Sequence, residues 1–231
     1  MPEQTPISAV PLSGAPGSWF EQGEWGARAL DILGEPVSDR ALAEQFASEK
    51  QLPLEDRRAL LIRSRDLPDW RRPPKPDETS IATDDHQVTI YQREGLDLGV
   101  GNFRVYDRGI LFRIEALEPD PIGEVPTGAD VMNFSYRIIP PSQPHRLRLL
   151  VYTEPGGTLL TNTAHFGAFP DDPNTLWLAG GISGGGRRNP GMATWGEYFL
   201  SPRPTSASLT VILSYPEFDI PPSGAVLTHP W

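Results

Sequence analysis

The chain has 231 residues, enough for one large domain or for a domain with a small satellite, and its 26 prolines and 22 glycines favour a turn-rich β fold. The formal net charge of −10 disfavours general binding to nucleic acid or to anionic membrane surfaces, because both repel an acidic protein. Cysteine is absent, which excludes disulfides, thiolate nucleophiles and cysteine-ligated metal sites.

The first part of the chain predicts an arm followed by short helices. Residues 1–17 are rich in Pro, Ser and Gly and indicate a flexible arm. This arm lacks the basic and apolar regions of a secretion signal, so we expect a cytoplasmic protein. Ser18 with Glu21 matches a capping box, and Pro53 stands at a favourable first helical position. These signals predict a small α-helical segment over 18–65.

The period of the apolar residues changes after a proline-rich stretch. Residues 66–84 predict an extended linker, and residues 85–231 show the alternation of antiparallel strands with one face in a core. The apolar members of the alternating sets are Val88, Ile90, Ile110, Phe112, Ile114, Ala116, Met132, Phe134, Tyr136, Ile138, Leu147, Leu149, Val151, Leu209, Val211, Leu213 and Tyr215. Turn signals recur between them, so we expect a mainly β fold, an immunoglobulin-like antiparallel β-sandwich behind the helical segment.

A glycine run with an arginine pair, residues 180–188, separates two candidate strands. Around Ser183 it resembles a hydrolase elbow, but that motif needs a helix after the serine, and the Gly, Asn and Pro that follow cannot begin one. No Gly-Lys-Ser/Thr completes a phosphate loop, although consecutive N–H groups beside arginines could bind an anion. We predict a flexible, glycine-rich hairpin loop that contacts a partner or an anion through Gly184, Gly185, Gly186, Arg187 and Arg188.

Other candidate residues indicate less. Asp84 and His86 could converge on one face of a strand as part of a metal site, which we rank below an exposed junction. The sequence Asp171–Asn174 is typical of a turn. Trp177, Trp195 and Tyr198 fit either the core or a sugar-binding platform. We therefore assign no catalytic residue, no metal and no cofactor, and an enzyme is disfavoured.

The carboxyl-terminal segment resembles a group of uncharacterised actinobacterial β-sandwich proteins. These proteins end in a polyglycine run, basic residues, a Trp-rich strand, a Pro-x-Pro turn and an apolar strand closing in aromatic-Pro. The matching elements are Gly180 to Gly186, Arg187-Arg188, Trp195 with Tyr198-Phe199, Pro202-Arg203-Pro204, Leu209 to Tyr215-Pro216, and Asp219-Ile220. Ile182-Ser183 interrupts the glycines, and Tyr215 stands where the group usually has Trp. The resemblance implies a fold and a bacterial lineage, and it carries over no catalytic residue.

Two functions follow as expectations. The first is a non-catalytic protein–protein interaction or assembly module whose glycine–arginine hairpin touches another protein chain or a second copy of itself. The alternative is a hydrolase or carbohydrate-binding protein that uses the face around Trp177 and Trp195.

Overall fold

The computed structural model describes residues 8–12, 68–119, 147–153, 158–161, 172–188, 191–216 and 219–228. The helices predicted over 18–65 and the strand predicted around Met132–Ile138 lie outside these residues.

Ten strands form two five-stranded antiparallel sheets. They are β1 (Ser8–Pro11), β2 (Ala82–Arg93), β3 (Leu96–Tyr106), β4 (Gly109–Glu118), β5 (Arg148–Thr153), β6 (Thr158–Thr161), β7 (Trp177–Arg188), β8 (Gly191–Ser201), β9 (Ser208–Tyr215) and β10 (Ile220–Thr228). The first sheet has the order β1-β10-β9-β5-β6, and the second has the order β2-β3-β4-β8-β7. The predicted mainly β, antiparallel fold class is confirmed.

One hydrophobic cluster takes side chains from both sheets. In β4, Ile110, Phe112, Ile114 and Ala116 are almost completely buried, as their alternation predicted. Leu149 and Val151 of β5 join the same cluster from the first sheet. Burial of a large apolar side chain contributes on the order of 2 kcal/mol, so this shared cluster is what holds the strands in register.

The strand faces that point away from the core are less exposed to solvent than the alternation predicted. Glu115 of β4 is 2% exposed and Arg148 of β5 is 5% exposed, although both occupy positions expected to face water. The ladder places Glu115 directly between Gly99 of β3 and Trp195 of β8. A carboxylate beside a large indole on the neighbouring strand loses solvent access, and residue-by-residue alternation carries no information about such a neighbour.

The proline-rich segment contacts the second sheet through a buried arginine. Arg71, at the end of a short 3-10 helix (Asp69–Arg71), is fully buried. Its Nη2 donates to the backbone oxygens of Asp172, at 2.9 Å, and Thr175, at 2.7 Å. Its Nη1 lies 3.4 Å from the backbone oxygen of Ser201, and its guanidinium stacks 4.4 Å from the ring of Trp70.

Two segments that were predicted to be extended or flexible contain strand residues. β2 begins at Ala82, inside the segment predicted as the linker over 66–84. Ser8–Pro11, inside the predicted arm over 1–17, form β1, and Ala9 and Val10 pair with Leu227 and Val226 of β10. Ladder hydrogen bonds to an existing strand can order a short segment whose composition alone indicates none.

Candidate functional site

The glycine–arginine run lies in a strand of a long hairpin. β7 and β8 pair from Trp177 opposite Ser201 to Arg188 opposite Gly191. Gly184, Gly185, Gly186, Arg187 and Arg188 therefore all belong to β7, and the predicted glycine-rich loop is wrong for these residues. Each of them has a partner residue on β8, and the hydrogen bonds along this ladder as a whole offset the entropy cost of about 0.5–1 kcal/mol for each glycine held in a strand.

An indole packs on the position where Gly184 lacks a side chain. A Cβ at Gly184 would lie 2.9 Å from each of Nε1, Cε2 and Cζ2 of Trp195, its partner on β8. These three adjacent atoms form one side of the ring, so Gly184 packs against that side of the indole. Glycine at this position is thus a packing requirement, because any side chain would displace the ring.

The same indole is stacked by a paired arginine. The guanidinium carbon of Arg113, on β4, lies 4.6 Å from the ring centre of Trp195. Arg113 Nη2 donates to Oε1 of Glu197 at 2.7 Å, and both side chains are about three-quarters buried. The glutamate fixes the guanidinium, and the guanidinium fixes the indole. Gly184, Trp195, Arg113 and Glu197, which we call the indole brace, therefore tie β7, β8 and β4 together on the outer face of the sheet.

The far end of the hairpin is exposed and cationic. Arg187 is exposed, and its cross-strand partner Met192 has 37% of its surface accessible. Gly185 is exposed as well. The only charged residues in β7 are Arg187 and Arg188, which contrast with the net charge of −10 for the chain. The hairpin therefore ends in a basic spot beside an accessible apolar side chain.

The Asp84–His86 pair predicted on β2 converges. Nδ1 of His86 lies 2.6 Å from Oδ1 of Asp84, and the imidazole is largely exposed. Among the residues that the structure describes, no three His, Cys, Asp or Glu side chains gather closely enough to hold a metal ion.

The remaining candidate residues lie in a strand, in a turn and in the core. Ser183 pairs with Gly196 within β7 and does not lie at a strand-to-helix turn. Asp172 accepts hydrogen bonds from the N–H of Asn174, at 2.9 Å, and the hydroxyl of Thr175, at 3.1 Å, which hold the pKa of its carboxyl below the ordinary value. Tyr198 is buried in the core, where it stacks on Phe112 at 5.8 Å.

Sequence reasoning found the glycines and Trp195 but missed Arg113 and Glu197. Both residues lie at ordinary polar positions of alternating strands, and only the register places Arg113 directly opposite Glu197. A charge-complementary pairing of β4 with β8 would have been the signal for them.

Comparisons with protein families, with curated proteins and with solved structures found no match for this chain. In the described ranges, no helix has both the length and the apolar character needed to cross a membrane.

Proposed function

We propose that this protein is a non-catalytic interaction or assembly module, an immunoglobulin-like β-sandwich that contacts another protein chain through the β7–β8 hairpin. The observation that carries this proposal is the position of β7. It is the last strand in the order of its sheet, it is free of large side chains from Ser183 to Gly186, and Arg187, the residue before its last, is exposed. The shared core of the two sheets supports the sandwich architecture.

The hairpin has the chemistry of a protein interface. Arginine and methionine are enriched in protein–protein interfaces, and Arg187 and Met192 lie opposite each other where both are accessible. The indole brace holds the hairpin from the outer face of the sheet, so little conformational entropy would be lost when a partner binds. A rigid support with an accessible tip favours binding over a packing role alone.

A carbohydrate-binding or hydrolase function around Trp177 and Trp195 has less support. A sugar that stacks on an aromatic ring needs an open face, and Trp195 has Gly184 against one part of its ring and Arg113 stacked over it. A saccharide would have to displace the pair between Arg113 and Glu197. The protein-binding proposal requires no such rearrangement.

Site-specific photo-crosslinking tests the proposal. A benzophenone amino acid at Met192 samples the hairpin tip, and the same amino acid at Ile81, an exposed apolar residue just before β2, serves as the matched control. In lysate of the source organism, we expect discrete protein adducts from position 192 and none of the same mass from position 81. Equal adducts from both positions, or none from position 192, would contradict the proposal.

A further inference from the structure

The free side of β7 offers a backbone edge as well as side chains. We propose that the partner binds there by strand addition, as an extended segment that pairs with Ser183–Arg188 and places one or two acidic side chains near Arg187. This inference rests on the proposed function and specifies the kind of segment that binds the hairpin.

The register indicates which backbone groups are available. A Cβ built at Gly185 lies only 3.8 Å from the Cα of Thr194, its partner on β8. Such a close approach is typical of the narrow antiparallel pair that does not exchange backbone hydrogen bonds, whose Cα atoms are about 4.5 Å apart. The N–H and C=O of Gly185 therefore point away from β8. Because the pattern alternates, those of Ser183 and Arg187 point to the same free edge.

Among the described residues, no second strand pairs with β7 at its outer edge. In the described part of the chain, β7 has a ladder partner on one side only, and β6, the strand near it on the other sheet, belongs to a different ladder. A Cβ at Gly186 would meet no atom within 4 Å. Strands pair at about 4.8 Å, and Ser183–Arg188 would offer about 20 Å of backbone. Protein edges are usually blocked by charges, proline or bulges, and Ser183–Gly186 carry none of these.

The opposite edge of the same sheet shows what a protected edge looks like. β2 pairs with β3 through two register shifts, and it carries the acidic residues Asp84 and Asp85. Bulges and inserted charges both discourage pairing with a further strand. Strand addition is therefore directed to β7.

The charge of Arg187 favours extended partner segments that carry acidic residues. Arg187 attracts carboxylates over short distances, whereas the net charge of −10 repels a uniformly acidic segment over longer ones. Charges beyond about 8 Å are largely screened at physiological ionic strength, so the local arginine dominates. The segment that fits best is rich in β-branched residues, lacks proline, and carries its acidic residues at the end that faces Arg187.

A proline and an alanine at one position form the test. Gly185→Pro removes an N–H that faces the free edge, where proline is tolerated because β8 does not use that N–H. Gly185→Ala keeps the N–H and adds a Cβ, whose nearest neighbour is the backbone oxygen of Ala193 at 3.3 Å. A random twelve-residue peptide library displayed on phage is selected on the full-length protein. The selected peptides are then measured by calorimetry on all three proteins.

We expect the selected peptides to be proline-poor, β-branched and acidic at one end. They should bind Gly185→Pro at least about tenfold more weakly and Gly185→Ala within about threefold of the wild type, since the loss of one edge hydrogen bond separates the two variants. In Arg187→Glu the acidic preference should be lost, and this variant carries the test if Gly185→Pro does not fold.

Three results would overturn strand addition: no enriched peptide, equal affinity for the proline and alanine variants, or an unchanged acidic preference in Arg187→Glu. If the benzophenone at position 192 crosslinks a protein while any of these results holds, the hairpin is an interface, but its partner does not bind by strand addition. If Met192 yields no specific adduct, the proposed function itself fails.

Discussion

Replacement of Gly184 by alanine tests the indole brace with a single methyl group. The φ angle of Gly184 lies outside the left-handed region, so alanine can adopt this backbone conformation. Its Cβ, however, would lie 2.9 Å from three atoms of the Trp195 ring, a distance that real Cβ contacts do not reach. The ring must move, and it is held by Arg113, which Glu197 fixes in turn.

The size of the effect follows from three contributions. Forced overpacking costs about 1–3 kcal/mol. Loss of the stacking between Arg113 and the indole adds about 0.5–1 kcal/mol. Alanine also restricts the unfolded chain, which offsets about 0.4–1 kcal/mol. We therefore expect Gly184→Ala to lower the free energy of unfolding by about 0.5–3.5 kcal/mol.

Gly186→Ala is the matched control, two residues further along the same strand. A Cβ at Gly186 meets no atom within 4 Å, and its φ also lies outside the left-handed region. Only the effect on the unfolded chain remains, so this variant should be more stable than the wild type by about 0.4–1 kcal/mol. Urea denaturation followed by tryptophan fluorescence measures both variants. Equal stability changes for the two, or a Gly184→Ala protein as stable as the wild type, would refute the described packing.

Two further predictions concern the segment that precedes β2. Arg71→Ala should cost about 2–4 kcal/mol of unfolding free energy, because three backbone carbonyls, the buried one of Ser201 among them, lose a charged donor, and Arg71→Lys should restore only part of it. A loss below about 0.5 kcal/mol in urea denaturation would show that the arginine does not hold this segment. The pKa of Glu78 lies below its ordinary 4.5 because Arg108 donates hydrogen bonds to it, so its stabilising effect is complete above that pH and is lost as the pH falls through the lowered value. Glu78→Gln should therefore destabilise the protein at pH 7 and make its stability less sensitive to acid, whereas parallel acid-denaturation curves for the two proteins would contradict this assignment.

The sequence predicts the core strands well because their signal is local. The alternation of Ile110, Phe112 and Ile114 depends on side-chain period alone, and burial in the structure follows it. The prediction of a loop over Gly184–Arg188 is wrong for the opposite reason, because its signal is not local. Glycine has low strand propensity, so a glycine run indicates a loop until a partner strand is known. In this protein the partner is β8, whose Trp195 fills the space above Gly184.

Long-range contacts explain what the sequence could not reveal. Arg71 lies 104 residues before Thr175, the carbonyl that it meets at the shortest distance, and a proline-rich neighbourhood indicates no packing. The indole brace likewise combines β4, β7 and β8, and its pairings depend on strand order and register. Local pattern predicts neither of these, since both are set when the whole sheet forms.

Amide hydrogen exchange across Ser183–Arg188, measured by NMR with and without a selected peptide, tests directly whether β7 binds an added strand. In the free protein, we expect the amides of Ser183, Gly185 and Arg187 to exchange faster than those of Gly184 and Gly186, which pair with β8. With the peptide bound, the three fast amides should slow by at least about tenfold, because each now donates to the added strand. Unchanged exchange at these three amides, with the peptide bound elsewhere, would contradict strand addition at β7.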